Sequence, residues 1–381
     1  MDHKRIFILG AGASIDHSRN ILPNIEYFFY RNPILKQHNG QYDSIHDYIK
    51  NTFYIDIYLE RPTPKINIET VFTQLELDIE NTQETKFFVA RYNLLEFIQN
   101  TLTNLESTVP EIENSSYHIL KNKLNKNDTI ITFNWDTMLD NVLGRREILE
   151  YFSEQSSNTA NYEKYQDNQY CNFASNLSGI RGPTWRRIGE GKPLIKWTGD
   201  EGYYFKMHGS VDWKYCENDM CKSHNNGYPI LEANAKHICS ECYEEMKPLL
   251  IPPVLNKQFR KYSLIRKIWN AAAREMEIAD EIVIWGYSLP PTDFYSEWLL
   301  RRAKKPLGKL VLINPAIISG NPEKKRFNTT FINHFSRQFN LEPHSSNVEH
   351  YEYFSDYEQN MRVEQKYQVL LSKIRRRPSS R

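Results

Sequence analysis

The sequence predicts an α/β fold, a doubly wound parallel sheet, on three observations. Short runs are apolar on both faces, an amphipathic helix precedes one of them, and the polar motifs fall at the runs' carboxyl ends. Ile6-Phe7-Ile8-Leu9 is the first run and stops at Gly10-Ala11-Gly12-Ala13-Ser14. Apolar residues at successive positions suit a central strand covered by helices on both sides. Thr129-Ile130-Ile131-Thr132-Phe133 and Ile282-Val283-Ile284-Trp285 are alike, the latter ending at Gly286, and Leu310-Val311-Leu312-Ile313 stops at Asn314-Pro315. Leu264, Ile268, Ala272 and Met276 recur every fourth residue and predict an amphipathic helix. In such Rossmann-like sheets, ligands bind beyond the carboxyl ends of the strands.

More than a hundred residues separate the first two runs, too many for one crossover helix. Ile68, Val71, Phe72, Leu75 and Ile79 have helical spacing, as does the stretch from Phe87 to Leu102, so residues 21–124 are read as a helical insertion. The polar stretch 152–190 is expected to be a long loop or linker. Five basic residues and no acid lie in 372–381, which is read as a solvated tail.

Composition narrows the function. The 381 residues suggest two or three compact units, at roughly 100–200 residues per domain. Lys and Arg number 48 against 47 Asp and Glu, a net +1 that argues against a protein living by coating nucleic acid or anionic lipid. No sequence-specific nucleic-acid binding is expected. No window approaches the roughly 18 apolar residues of a membrane helix, and Met1 to Ser14 lacks a signal-peptide pattern. A cytoplasmic location is expected, and the cysteines agree with a reducing compartment.

Four of the five cysteines form two close pairs, Cys216-x4-Cys221 and Cys239-x2-Cys242, separated by 17 residues. Each pair can give two thiolates to one tetrahedral ion, which predicts a small four-cysteine zinc ribbon. His224 and His237 lie close enough in sequence to replace a cysteine. Four thiolates leave no open position for water, so such a zinc is structural.

The remaining motifs are individually ambiguous. Gly10-Ala11-Gly12-Ala13-Ser14 can bring backbone N–H groups to a phosphate, but Ile15 replaces a third glycine and a ligand-free turn would look the same. Asn134 and Asp136 continue a buried strand into the crevice, or else form an Asx turn. His208-Gly209 presents either a base near neutral pH or a surface turn.

Their order is more telling. GAGAS, TFNWD, MHGS, four cysteines, IVIWGYS and LVLINP resemble, block by block, the sirtuin superfamily, and more closely the bacterial sirtuin-like NAD hydrolases of antiphage defence. The resemblance covers 4–16, 128–140, 205–253 and 280–316. It implies a Rossmann NAD-binding core over 1–20, 125–211 and 248–320, a ribbon over 212–247 and a C-terminal extension over 321–381. It also implies that Gly10, Ala11, Gly12 and Ser14 contact the pyrophosphate, and that Gly286, Tyr287, Ser288 and Asn314 serve the adenosine side. Asn134 would hold the nicotinamide ribose and a water, Asp136 would face the nicotinamide pocket, and His208 would act as base.

Two departures separate the chain from the deacylases of that superfamily. Arg19-Asn20-Ile21-Leu22-Pro23-Asn24-Ile25 lacks the Asp and Arg of their G-I-P-D-F-R segment. Where they use V-x-F-G-E to pair with an acyl-lysine peptide, this chain has Leu250-Ile251-Pro252-Pro253-Val254, and consecutive prolines offer no backbone donors. The expected activity is therefore hydrolysis of NAD, the substrate, to nicotinamide and ADP-ribose. The alternatives are an NAD-dependent protein deacylase and a non-catalytic NAD or ADP-ribose sensor. The same resemblance implies a homo-oligomer and a separately encoded HerA-type ATPase partner.

Overall fold

The computed structural model describes residues 3–30, 32–36, 40–59, 61, 64–111, 114–125, 127–143, 175–176, 202–221, 224, 238–239, 241–251, 262–290, 293–315 and 322–361. The basic tail, most of the 152–190 stretch, His237 and Pro252-Pro253 lie outside these residues.

Seven strands build the main sheet. They are β1 (Arg5–Leu9), β2 (Thr129–Thr132), β3 (Ser175–Asn176), β4 (Tyr203–Lys206), β7 (Glu281–Trp285), β8 (Lys309–Ile313) and β9 (Val348–Tyr351). Two further strands, β5 (Gly209–Tyr215) and β6 (Lys247–Leu250), pair antiparallel as a separate ribbon. The order across the main sheet is β3-β4-β2-β1-β7-β8-β9, parallel except for the short edge strand β3. Counted in chain order, the six parallel strands run 3-2-1-4-5-6, the order of dinucleotide-binding doubly wound sheets. The expected α/β class and all four predicted strands are present.

Apolar residues alternate between two cores. Phe7, Leu9, Ile130, Val283 and Val311 face one, which the helical insertion covers. Ile6, Ile8, Ile131, Ile282, Ile284, Leu310 and Leu312 face the other. That second core is closed by the predicted amphipathic helix, Ser263–Glu277, through Ile265, Ile268, Trp269, Ala272 and Met276. Coverage on both sides explains why the strands read as continuous apolar runs.

Between β1 and β2 the chain forms α1 (Ala11–His17), α2 (Pro33–Lys36), α3 (Asp43–Phe53), α4 (Ile68–Thr82), α5 (Thr85–Thr108) and α6 (Ser116–Lys123). α4 starts where Asn67 accepts the Glu69 N–H at 2.8 Å, an N-cap that satisfies one of the first-turn donors. α5 buries Leu94, Phe97, Ile98 and Leu102, and its Gln99 donates to the Val211 carbonyl of β5. The insertion is therefore fastened to the ribbon as well as to the sheet.

The rest of the chain adds α7 (Met138–Val142), α8 (Ser263–Glu277, already described), α9 (Phe294–Leu300) and α10 (Pro322–Gln338). The stretch set apart by sequence as a C-terminal extension supplies α10 and β9, and β9 pairs with β8 from Leu310↔Val348 to Ile313↔Tyr351. Its sequence, Val-Glu-His-Tyr, carries no apolar run because the strand lies at the sheet's edge. Among the described residues no helix is long and apolar enough to cross a membrane.

Candidate NAD-binding site

The glycine turn follows β1 at the centre of the sheet, where the chain crosses from one side to the other. Gly10 donates to the Trp285 carbonyl at 3.1 Å, Gly12 to Gly286 at 3.0 Å and Ala13 to Gly10 at 2.9 Å. The turn thus lies backbone to backbone against the end of β7. A Cβ on Gly12 would fall 2.7 Å from the Gly286 Cα, and Gly286 itself has φ +63°. The glycines here permit two turns to touch. The sequence reading assigned those amides to phosphate, but three of them already have backbone acceptors.

Beneath the turn lies a hydrogen-bonded cluster. Asn134 Nδ2 donates to the Gly10 carbonyl and to Ser14 Oγ, both at 2.9 Å. A carbonyl only accepts, so the amide's orientation is fixed and Oδ1 is the Asn134 atom left for other partners. Ser14 Oγ donates to Asp136 Oδ2 at 2.7 Å and lies 2.8 Å from the Tyr117 hydroxyl, which must therefore be the donor. One hydrogen and two lone pairs saturate Ser14. It organises Asn134 and Asp136.

Three carboxylates and one lysine surround that cluster. Lys206 Nζ donates to the Asp136 carbonyl at 2.6 Å and to Asp140 at 2.8 Å, and Tyr204 donates to Asp140 at 3.0 Å. Glu106, from the insertion, accepts from the Thr137 N–H at 2.9 Å and the Thr137 hydroxyl at 2.5 Å. Burial pushes the Asp136 carboxyl up, against the pull of Lys206. Burial, with the nearby Asp136 charge, pushes Glu106 up to about 7. Glu106 and Tyr117 escaped the sequence reading because they lie in the insertion, outside every motif block.

His208 belongs to a second group across the sheet. Phe133 and Asn134 are consecutive, so their side chains leave on opposite faces. Phe133 stacks on Tyr287 at 4.3 Å and meets His208 edge-on at 5.2 Å. The His208 Nε2 lies 3.8 Å from Asp293 Oδ2, and the Tyr287 hydroxyl donates to that oxygen at 2.9 Å. Tyr287 is thus a core residue, 6% exposed. Its hydroxyl proton is held tightly by burial and the Asp293 charge.

Depth sorts the remaining residues. Ala11 and Ser288 are exposed, and Gly12, Gly286 and Asn314 are half-buried along the rim. Ser14, Asn134, Asp136 and His208 are buried, none more than 8% exposed. Asn314 donates its backbone N–H to Tyr351 at 3.0 Å, which joins the rim to β9. A cavity of ≈ 480 Å³ has Ile15, Asn24, Tyr27 and Leu105 in its wall, and none of the cluster's residues lines it.

The four cysteines meet at the ribbon's tip. All four sulfurs lie within 4.8 Å of one another, with Cys216–Cys242 at 3.5 Å and Cys221–Cys239 at 3.7 Å. Zinc–sulfur bonds of about 2.3 Å in a tetrahedron put sulfurs about 3.8 Å apart, so the set is compatible with zinc. His224 is bonded through Nδ1 to the Cys216 carbonyl at 2.7 Å, outside the sulfur cluster.

Among known proteins, no protein-family model and no curated sequence matches the chain. Solved structures of Sir2 homologues align over most of its length. One, a variant bound to ADP-ribose, is 13% identical over 90% of this chain and 95% of that chain, with a TM-score of 0.35. A second, bound to 2′-O-acetyl ADP-ribose, is 13% identical over the same shares with a TM-score of 0.33. A third ADP-ribose complex is 12% identical, with a TM-score of 0.36.

Proposed function

We propose that the chain is an NAD glycohydrolase that releases nicotinamide and ADP-ribose, with Asn134, Asp136 and His208 at the reacting centre. The observation that carries this reading is the hydrogen-bonded set of Gly10, Ser14, Asn134 and Asp136 at the mouth of a 3-2-1-4-5-6 sheet. A rim of small residues above buried polar groups suits a dinucleotide lying along the strand ends with its reactive ribose deepest.

The charge balance supports the same chemistry. The nicotinamide ring is cationic in NAD and leaves neutral, its charge passing to a ribose in an oxocarbenium-like state, so the site must favour positive charge. Asp136 and Asp140 outnumber Lys206, with Glu106 able to lose its proton near neutral pH, and they supply that environment before the reaction begins. Asn134 Oδ1 accepts a hydrogen from the attacking water, while its amide hydrogens stay on Gly10 and Ser14. His208 takes a proton from a ribose hydroxyl or the water, and Asp136 seats the carboxamide. The water's oxygen bonds to the anomeric carbon as the N-glycosidic bond breaks, and its proton passes to solvent. Holding water and ribose in line supplies most of the rate.

Cys216, Cys221, Cys239 and Cys242 would hold one structural zinc, and metal analysis should return about one zinc per chain. The cellular role that fits an NAD-consuming enzyme of this kind is antiphage defence by NAD depletion. Control by self-assembly and a HerA-type ATPase would restrain it in the cytoplasm.

Chromatography of NAD incubated with purified protein tests the reading, first alone and then with the candidate ATPase. Nicotinamide and ADP-ribose in equal amounts, without any peptide, are expected. Turnover only with an acetylated peptide would make it a deacylase, and tight binding without turnover in either setting would make it a sensor.

A further inference from the structure

We propose that Glu106 of the helical insertion is a positioning residue for the reacting centre: with Lys206 it clamps the Asp136–Thr137 peptide from both edges and so fixes where Asp136 stands. The effect on turnover rests on the NAD-cleaving reading; the clamp does not.

The two hydrogen-bonding groups of that one peptide end on opposite charges. Its carbonyl, that of Asp136, accepts from Lys206 Nζ at 2.6 Å, and its N–H, that of Thr137, donates to Glu106 Oε1 at 2.9 Å. A cation on the oxygen and a carboxylate on the hydrogen both follow the peptide dipole, so turning the peptide weakens two charge-assisted bonds together. Glu106 Oε2 accepts a further bond from the Thr137 hydroxyl at 2.5 Å. The preceding peptide is held as well: the Trp135 carbonyl accepts from the Val211 N–H at 2.9 Å, and the Val211 carbonyl accepts from Gln99. Gln99 and Glu106 stand seven residues apart on α5, two turns, hence on one face. One helix therefore ties together the strand that follows His208 and the turn that carries Asn134 and Asp136.

Local preference does not account for a glutamate at this position. Glu106 lies in the last turn of α5, where the helix dipole opposes a carboxylate. Asp136, in the turn after β2, opposes its charge and Lys206 of β4 favours it, while Asp140 of α7 is bonded to Lys206. Burial, with the Asp136 charge, pushes the carboxyl up to about 7, so the charged arm of the clamp is present above neutral pH and neutralised below it. The protonated acid still accepts the Thr137 N–H on one oxygen and can donate to the hydroxyl with the other. Position is kept while charge is lost.

Three variants separate position from charge. Glu106→Gln keeps both bonding positions without the charge, Glu106→Ala removes the arm, and Thr137→Val removes the hydroxyl bond alone. Hydrogen exchange at the Thr137 amide, followed by nitrogen-15 NMR of the full-length protein, should quicken about tenfold in Glu106→Ala and stay near wild type in Glu106→Gln. In Glu106→Ala, kcat for NAD should fall about 10–100-fold while KM stays within about threefold. Between pH 6 and pH 8 the ratio of wild-type to Glu106→Gln turnover should rise about tenfold, because every other titrating group is shared and cancels. Exchange unchanged by Glu106→Ala would overturn the clamp, faster exchange with unaltered kcat would overturn the positioning role, and a ratio constant with pH would remove the charge from it. Should Glu106→Ala not fold, Thr137→Val decides: kcat lower by about three- to tenfold supports the role, and an unaltered kcat overturns it. If the wild type cleaves no NAD, the functional reading fails by itself, and the exchange rates still decide the clamp.

Discussion

The two ends of the parallel sheet treat buried charge in opposite ways. At the amino ends charges are matched in pairs: Arg5 meets Asp128 at 2.6 Å, and Lys4 meets Glu275 at 2.5 Å. Thr129 adds a bond to Glu275 and Asn125 another to Asp128. At the carboxyl ends Glu106, Asp136 and Asp140 crowd around Lys206 alone, and His208 lies against Asp293. Matched pairs register strands and helices. A surplus of one sign costs stability and is kept where a ligand or a transition state uses it.

The largest expected effect comes from the carboxyl end. His208→Ala and Asn134→Ala should each lower NAD turnover about 10²–10⁴-fold, measured as nicotinamide release, because each removes a group acting at the reacting centre. Next comes the amino end. Asp128→Ala leaves Arg5 buried and unpaired, so denaturant unfolding should show a loss of about 3–5 kcal/mol. Turnover per folded molecule should stay unchanged. Should Asp128→Ala abolish turnover while leaving stability intact, the division between the ends would collapse.

Gly286→Ala probes the junction of the two glycine turns. A Cβ there would lie 2.3 Å from the Ala13 nitrogen on a residue with φ +63°, so a stability loss of about 1–3 kcal/mol is expected in thermal melts.

The smallest effect concerns protons. Glu106 is pushed up to about 7 in the folded protein, whereas an unfolded glutamate titrates near pH 4.3. The folded state therefore keeps a proton that the unfolded chain releases. That stability is fully present below about pH 4.3 and is lost as pH rises through about 7. Glu106→Gln should flatten this slope in urea unfolding at pH 5 and pH 8, and an unaltered slope would assign it to other groups.

The sequence revealed the strands that are buried on both faces, because continuous apolar runs are hard to mistake. It also revealed the cysteine pairs, whose spacing is set by the metal they suit. Strands toward the margins of the sheet were harder to find: Tyr203–Lys206, next to the edge, and Val348–Tyr351, at the edge, are short, and one is half polar. Glu106 and Tyr117 left no local signature, since each acquires its partner from a distant part of the chain. The glycine turn showed a different difficulty. Its residues were legible, but their main contact, another glycine turn 274 residues away at Gly286, depends on the order of strands across the sheet.

One comparison tests the central division most directly: NAD cleavage by wild type, Asn134→Ala and Asp128→Ala at equal concentrations of folded protein, followed by chromatography. Cleavage by wild type and Asp128→Ala, with little or none by Asn134→Ala, is the predicted result. Equal cleavage by all three, or ADP-ribose lost only in Asp128→Ala, would contradict the assignment of the chemistry to the carboxyl ends of the sheet.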